Sequence, residues 1–315
     1  MARKNRVQFQ KGLSWSELMA NYGTEEQCRQ AIMKQRWPDG FRCPLCGGER
    51  HCELRGRRLI QCNQCHRQTS VTAGTIFHCT KLPLVVWFQA IFLLTQSKNG
   101  ISSLELARYL GVSYNTAWKL QHKLMQVMLE RESGKQLTGA IQIDDAVIGG
   151  ARHGGKRGRG TAAKIPMLAA VQTDNGRPVK AKLTRVPAHS GNAVSKWAEA
   201  HVASGSSIVS DGLACFRALG RANLTHRSIV VGSGYRAAQN PEFLWVNTLL
   251  GNVKNALAGT YHSVNSKHIP RYLAEFQYRF NRRFDLAAMI PRLLHAAVRT
   301  PPMPMRLLML AESHW

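Results

Sequence analysis

Two Cys-x-x-Cys pairs constrain the fold of this chain more than any other feature. Cys43 and Cys46 form the first pair, Cys62 and Cys65 form the second, and fifteen residues separate the pairs. Two tight turns that each present two thiolates make the tetrahedral four-cysteine set that suits Zn²⁺. Because four ligands leave no open coordination position, we expect one zinc ion in a structural role. The pairs therefore predict a zinc ribbon, with its hairpin in residues 53–61.

The four other cysteines lie outside this pattern. Cys52 sits between the two pairs but breaks their symmetry, so we interpret it as a bystander. We expect Cys28, Cys79 and Cys215 to be packed thiols rather than metal ligands.

The chain is strongly basic. Its 315 residues include 43 Lys and Arg against 18 Asp and Glu, a formal net charge of +25. This charge favours an anionic polymer as partner, with nucleic acid the first candidate and an anionic membrane surface the alternative. An apolar fraction of 44% and a charged fraction of 19% are ordinary globular values, which exclude wholesale disorder and coiled coil.

The longest apolar run covers residues 82–95. A bilayer needs about 20 such residues, so this run predicts a buried helix and no membrane partner. No export signal is visible, and paired cysteines without one favour metal binding in a reducing compartment. We therefore predict a cytoplasmic, nucleoid-associated protein.

Along the chain we predict four parts. Residues 1–80 form a helical lead plus the zinc ribbon, 81–138 a helix-turn-helix DNA-binding segment, 139–290 an α/β catalytic domain, and 291–315 a C-terminal tail. Hydrophobic patterns in the third part predict strands at 140–143, 167–172, 179–186, 207–210 and 228–231, a helix at 192–203, and further helices after about 241. Strands with intercalated helices indicate a layered α/β domain.

The second part carries a helix-turn-helix pattern. Ser102 and Ser103 precede an amphipathic helix, and Gly111-Val112-Ser113 then turns the chain into a second helix from Tyr114. The start of that second helix is the recognition position in such motifs. The residues we expect to face the major groove are Tyr114, Asn115, Thr116 and Lys119. An ordinary helical hairpin is the alternative.

Carboxylates follow two predicted strands. Asp144 and Asp145 end the first strand, and Asp211 ends a later one. If these strands are neighbours, their carboxylates can hold two Mg²⁺ ions, as in ribonuclease-H-like nucleases and transposases. The alternative for each strand-end aspartate is a turn or cap residue.

A third oxygen ligand is expected downstream. Thirty-five residues separate Asp211 from Asn247, and Lys254 follows seven residues later, two turns along the same helix face. This spacing resembles the D…D(35)E signature of DDE transposases with its downstream lysine, except that Asn replaces Glu. Asn252 is the competing third ligand.

These features together resemble the zinc-ribbon DDE transposases of bacterial insertion sequences, in the IS1595 family. The resemblance covers residues about 24–286. Beyond the cysteine pairs and the acidic residues, it is carried by RWPDGF at 36–41, SVTAGTIF at 70–77, DDAVIGG at 144–150, GTYH at 259–262 and RFNRR at 279–283.

The resemblance implies a ribonuclease-H-like catalytic domain behind a four-cysteine zinc ribbon and a helix-turn-helix. Asp144 and Asp211 take the family's first and second aspartates, Asn247 the third position and Lys254 the lysine, as in a subgroup of DDNK type. Asp145 stands where the family commonly has Glu. The implied activity is Mg²⁺-dependent 3′-end cleavage and strand transfer at terminal inverted repeats by a homo-oligomer on DNA.

Two further basic regions are DNA-contact candidates. The glycine-rich loop 149–164 has no acidic residue and carries Arg152, Lys156, Arg157 and Arg159. In the helix predicted at 269–283, Leu273, Phe276 and Phe280 form an apolar stripe. The arginines of that helix, which we expect to face DNA, are Arg271, Arg279, Arg282 and Arg283.

Two other functions stay open on sequence grounds. The neutral Asn at the third position also fits a decayed or domesticated transposase that acts as a sequence-specific DNA-binding protein without cleavage. An RNA-processing ribonuclease-H-like nuclease fits the acidic core but not the helix-turn-helix.

Overall fold

The computed structural model describes residues 7, 10–149, 164–221, 224–230, 240–262 and 264–310. It divides into two compact units, one made of Met1–Met128 with Arg282–Ala311 and the other built on Leu129–Asn281. Within these described ranges, no helix combines the length and apolarity needed to cross a membrane.

The first unit is helical around a small sheet. Its helices are α1 (Trp15–Tyr22), α2 (Glu25–Arg36), α3 (Leu84–Gln96), α4 (Ser103–Leu110) and α5 (Tyr114–Ser133), the last of which runs on past Met128. The predicted buried helix is confirmed as α3, since Ile91 and Leu94 are fully buried. Its N-terminus is capped from α2, because the Glu25 carboxylate accepts the Leu84 N–H at 2.8 Å.

The zinc ribbon forms the small sheet. It contains β1 (His51–Leu54), β2 (Leu59–Cys62) and β3 (Gln68–Thr69), and both pairings are antiparallel. β1 and β2 make the predicted hairpin, in which His51 lies opposite Cys62.

The predicted turn between α4 and α5 is also present. Gly111 ends α4 in the left-handed conformation with φ 63°, as a helix C-terminus often requires. Ser113 directly precedes α5, and its hydroxyl accepts the Thr116 N–H at 3.3 Å. Buried Gln121 ties the two helices together by bonds to the Ser103 hydroxyl and the Ile101 carbonyl.

The second unit is built on a five-stranded mixed sheet. Its strands are β4 (Ala140–Ile148), β5 (Ile165–Asp174), β6 (Arg177–Arg185), β7 (Ser207–Asp211) and β8 (Thr225–Ile229), in the spatial order β6-β5-β4-β7-β8. β5 is antiparallel to both of its neighbours, whereas β4, β7 and β8 run parallel. The α/β class is as predicted.

Helices cover both faces of this sheet. On one face, Ile143, Leu168 and Ala170 pack against α6 (Gly191–His201) through Trp197. On the other face, strand residues pack against α7 (Leu244–Ala256) and α8 (Ile269–Arg282). Alternation along β5 assigns neighbouring residues to opposite cores, which is the period-2 pattern of a strand buried on both faces.

The edge strand β6 is protected by two amide side chains of α8. The Gln277 Oε1 accepts the Leu183 N–H at 2.8 Å, and the Asn281 Oδ1 accepts the Ala181 N–H at 2.7 Å. The two amides are four residues apart on the helix, a rise of about 6 Å, and the two N–H groups are two residues apart on the strand, a rise of about 6.6 Å. The spacing of the amides therefore matches the spacing of the N–H groups. Two N–H groups of the sheet edge, those of Ala181 and Leu183, are thereby satisfied.

The arginines of α8 differ from expectation. Arg271, Arg279 and Arg282 are only 4–7% exposed, so the prediction that they face DNA is wrong for the isolated chain. Arg279 is drawn inward because its Nη2 lies 3.6 Å from the buried Glu275 carboxylate. The apolar stripe through Leu273 is core, as predicted.

Two further helices follow α8 within the first unit. They are α9 (Met289–Ala297) and α10 (Met305–Leu310), in the segment predicted as the end of the catalytic domain and a tail. α9 is anchored to the N-terminal helices, since His295 and Arg299 both bond Gln35. The Ile76 N–H also donates to the Ala297 carbonyl at 3.4 Å.

Candidate functional site

The four predicted zinc ligands converge. One ligand atom from each of Cys43, Cys46, Cys62 and Cys65 lies within 4.8 Å of the others. The two turns that present them are alike: the residue after each second cysteine is left-handed, with φ 74° at Gly47 and 56° at His66. The thiol set fits a tetrahedral zinc ion.

Backbone N–H groups favour the thiolate forms that such an ion needs. The N–H groups of Cys46 and Leu45 lower the pKa of Cys43 to about 6. Those of Cys65 and Gln64 lower the pKa of Cys62 in the same way.

The other cysteines take no part in this set. Cys52 is exposed on β1, and Cys28 and Cys215 are buried, as predicted. Cys79 is exposed, so its prediction as a packed thiol is wrong. Its backbone is left-handed, with φ 54°, in the turn before α3.

The acidic centre lies where β7 ends, against the middle of β4. β4 continues past Asp144 and Asp145 to Ile148 because β5 pairs with it along that whole length, so the prediction that these two aspartates end a strand is wrong. β4 and β7 are adjacent and parallel, with Gln142 opposite Val209, so two further residues along each strand bring Asp144 and Asp211 level. Both are on the sheet face that α7 covers, because Val209 and Ala146 pack into that core. One carboxylate oxygen from each of Asp144, Asp145 and Asp211 lies within 4.8 Å of the others.

Local hydrogen bonds hold two of these carboxylates. The Asp211 Oδ1 accepts the Leu213 N–H at 3.1 Å, which closes a turn directly after β7. The Asp144 Oδ1 accepts the Asp145 N–H at 2.9 Å. A Cβ at Gly212 would lie 2.9 Å from a methyl group of Val230, so a larger residue in this turn would require the exposed Val230 side chain to move.

The helix that carries the third predicted ligand is anchored beside Asp144. The Gln142 Oε1 accepts the N–H groups of Trp245 at 3.0 Å and of Val246 at 3.1 Å. Gln142 shares a face of β4 with Asp144, two residues away, so the first turn of α7 lies over that part of the strand. Asn247 is the next residue of this turn and is half-buried.

Helical geometry separates the two candidates for the third ligand. Asn252 lies five residues after Asn247, about 140° away around the helix axis, and is exposed. Lys254 lies two turns after Asn247 on the same side of α7 and is exposed. The structure thus favours Asn247 over Asn252 as the residue nearer to β4.

His189 is a neighbour of the centre that the sequence pattern does not predict. It follows β6, and its Nδ1 lies 3.5 Å from the Asp145 Oδ2. No spacing rule links these two positions, because the loop after β6 carries His189 to β4 only in the folded sheet.

The predicted DNA-contact residues are placed unequally. Tyr114, Asn115 and Lys119 are exposed at the start of α5, and Thr116 is half-buried against Ser113. The remaining candidates, Arg152, Lys156, Arg157 and Arg159, lie outside the described residues.

Comparison with known proteins agrees with this geometry. Residues 136–281 match the model of the ISXO2-like transposase domain, and residues 23–68 match that of the transposase zinc-ribbon domain. A protein in transposable element ISH50 of Halobacterium salinarum is 24% identical over 168 residues. That alignment covers 49% of this chain and spans about half of the relative, 56% of its length.

A solved structure with some likeness is the catalytic core domain of BIV integrase. It is 15% identical, with a TM-score of 0.29, and the match covers 44% of this chain and 81% of that one. The assignment of the second unit to the ribonuclease-H-like α/β class does not rest on this solved structure. It rests on the order of the strands in the sheet and on the family match.

The two family matches lie in the expected order, ribbon before catalytic domain, and together cover more than half of the chain. Their match regions include all four ligand cysteines and all three clustered aspartates. The chain therefore belongs to the zinc-ribbon transposases of the IS1595 family.

Proposed function

We propose that this protein is an active transposase that cleaves the 3′ ends of its insertion sequence and joins them to target DNA. The observation that carries the proposal is the convergence of Asp144 on β4 with Asp211 at the end of the adjacent parallel strand β7, within a transposase-family domain. Carboxylates that meet on one face where a strand ends are poorly placed for an apolar core and well placed for a hard divalent cation.

Oxygen ligands of this kind fit Mg²⁺. Two Mg²⁺ ions held by Asp144, Asp211 and Asn247 would activate the attacking oxygen and stabilise the leaving oxygen at phosphorus. Asn247 would contribute a neutral amide oxygen, as expected for the DDNK-type subgroup that the sequence resembles.

The reaction consists of two displacements at phosphorus. In the first, water attacks the terminal phosphodiester and the bond from phosphorus to the 3′ oxygen breaks, which frees a 3′-OH. In the second, that 3′-OH attacks a target phosphodiester and again one P–O bond forms as another breaks. The chain's own contribution is positioning, and exposed Lys254 on α7 would hold a DNA phosphate beside the aspartates.

Recognition of the terminal inverted repeats is assigned to the first unit. The exposed side chains at the start of α5 are suited to base edges, because Asn can bond adenine bidentately and Lys can bond guanine or phosphate. Four exposed arginines of the ribbon are suited to backbone phosphates, namely Arg50, Arg57, Arg58 and Arg67. The basic loop 149–164 is proposed to clamp the DNA. Two element ends must be processed together, so we expect a homo-oligomer on DNA.

The test is strand cleavage and joining on labelled duplexes that carry the DNA flanking this gene. Wild type is expected to cleave at the element's 3′ ends and to join them to a target in Mg²⁺ or Mn²⁺. Asp211→Asn is expected to lose both steps while it keeps its zinc and its DNA binding. Asp174→Asn is a matched control, because Asp174 is exposed at the end of β5 and outside the acidic cluster.

The neutral Asn247 motivates a second candidate, a DNA-binding protein that no longer cleaves. It predicts specific binding to the same duplexes with no cleavage in either metal. A preference of wild type for RNA–DNA hybrid over duplex ends would instead indicate a ribonuclease.

A further inference from the structure

Asp145 approaches the acidic centre although it sits on the other face of β4 from Asp144. Neighbouring strand residues normally point to opposite faces. Asp145 can reach Asp211 because β7 ends at Asp211 and its pairing with β4 stops at Gln142, which leaves that edge of β4 open beside both aspartates. The Asp145 side chain is 5% exposed. A carboxylate so deeply buried is costly unless a cation or donors compensate it.

His189 fixes the orientation of Asp145. Its Nε2 lies 3.3 Å from the Met167 carbonyl oxygen, and because a carbonyl can only accept, Nε2 carries the hydrogen. Its Nδ1 faces the Asp145 Oδ2 at 3.5 Å, so the imidazole lies between the Met167 carbonyl and the Asp145 carboxylate and limits where that carboxylate can point. Polar groups that contact a ligating carboxylate in this way commonly set its orientation.

The charge of the centre points the same way. Asn247 contributes an amide oxygen and no charge, so Asp144 and Asp211 alone would leave one carboxylate too few for two divalent ions. Asp145 is the third carboxylate that the folded chain brings within 4.8 Å of both.

We propose that Asp145, oriented by His189, is the third carboxylate of the metal centre and replaces the charge that Asn247 lacks. This inference rests on the proposed function, since it assigns a ligand and a positioning residue to the same site.

The experiment measures Mn²⁺ binding to the full-length protein by the EPR signal of free Mn²⁺, so DNA cleavage is not needed for the readout. Asp145→Asn, which keeps the side-chain size, is expected to lower Mn²⁺ affinity about 10- to 100-fold. Asp174→Asn is expected to change it less than twofold. Unfolding temperature and zinc content confirm that each variant is folded.

Two further variants separate charge and positioning from a general structural effect. Asn247→Glu added to Asp145→Asn returns a carboxylate to the centre and is expected to restore most of the lost affinity. His189→Ala is expected to weaken Mn²⁺ binding less than Asp145→Asn and to change the EPR spectrum of the bound ion, at an unaltered unfolding temperature.

The outcomes are distinguishable. If Asp211→Asn loses Mn²⁺ binding while Asp145→Asn retains wild-type affinity, the inference is wrong and the proposed function stands. If wild type binds no Mn²⁺ and cleaves no DNA, both are wrong.

Discussion

Asn281→Ala, which removes the side-chain amide, should destabilise the second unit, although Asn281 is not one of the predicted metal ligands. Its Oδ1 accepts the Ala181 N–H, and its Nδ2 donates to the Ala181 carbonyl at 3.1 Å and to the Glu132 Oε2 at 2.8 Å. Ala181 and Glu132 are 1% and 3% exposed, so water cannot readily replace these bonds. Asn281→Ala therefore leaves buried groups unpaired.

The size of the effect follows from those bonds. An unsatisfied buried N–H costs about 1–3 kcal/mol, and a bond to a charged group contributes about 1.5–3 kcal/mol. We expect Asn281→Ala to lower the free energy of unfolding by about 3–5 kcal/mol. For a unit of this size each kcal/mol shifts Tm by about 2–4 °C, which predicts a fall of about 6–20 °C.

The assay is urea and thermal unfolding followed by circular dichroism. Asn255→Ala is the matched control, because Asn255 is exposed on α7, and it should stay within about 0.5 kcal/mol of wild type. Gln277→Ala should be non-additive with Asn281→Ala, since both amides bond the same carboxylate oxygen of Glu132. A loss below about 1 kcal/mol for Asn281→Ala would refute the assignment of this residue to edge-strand protection.

Three other predictions concern the zinc, the DNA and the pH. Cys62→Ser should lose the single bound zinc, measured by atomic absorption. Cys52→Ser should keep it, because Cys52 is exposed and outside the ligand set. Equal zinc contents in the two variants would contradict the assignment of a zinc ribbon. For DNA binding, Lys119→Ala should reduce by about 1 the slope of the logarithm of the association constant against the logarithm of the salt concentration. Lys34→Ala, at an exposed lysine outside α5, should leave this slope unchanged. An unchanged slope in both variants would show that α5 does not contact the DNA through Lys119. Burial lowers the pKa of Lys182 from 10.5 to about 8, so between these pH values the unfolded chain binds more protons than the folded one. The free energy of unfolding should therefore rise from pH 8 to 10.5 in wild type but not in Lys182→Met. Parallel pH profiles of the two proteins would contradict this.

Local chemistry explains what could be predicted from the sequence. The cysteine spacing, the left-handed Gly111 and the apolar run of α3 each depend on neighbours within a few residues, and all three are found in the structure. The end of β7 at Asp211 was likewise visible as an apolar run that stops at a carboxylate.

Features that depend on distant partners could not be predicted. β4 continues to Ile148, beyond the predicted end at residue 143, because β5 pairs with it through both aspartates. β8 begins at Thr225 rather than 228, since it pairs with Ser207 at the start of β7.

Burial of charge was the other source of error. Arg279 reads as a surface residue by composition, yet Glu275 on the same helix holds it inside the protein. Glu275 in turn accepts the Tyr261 hydroxyl at 2.5 Å, and burial raises the pKa of its carboxyl group. No helical periodicity distinguishes such an internal pair from an exposed one.

Action of the aspartate centre on the scissile phosphate through divalent metal ions can be tested by cleavage of a duplex with one phosphorothioate at the element's 3′ end, where sulfur replaces a non-bridging oxygen. We expect one stereoisomer to be cut poorly in Mg²⁺ and to be cut well again in Mn²⁺. Asp211→Asn is expected to cut it in neither metal. Equal cleavage of both stereoisomers in Mg²⁺, or cleavage that persists in Asp211→Asn, would contradict metal-ion action at this centre.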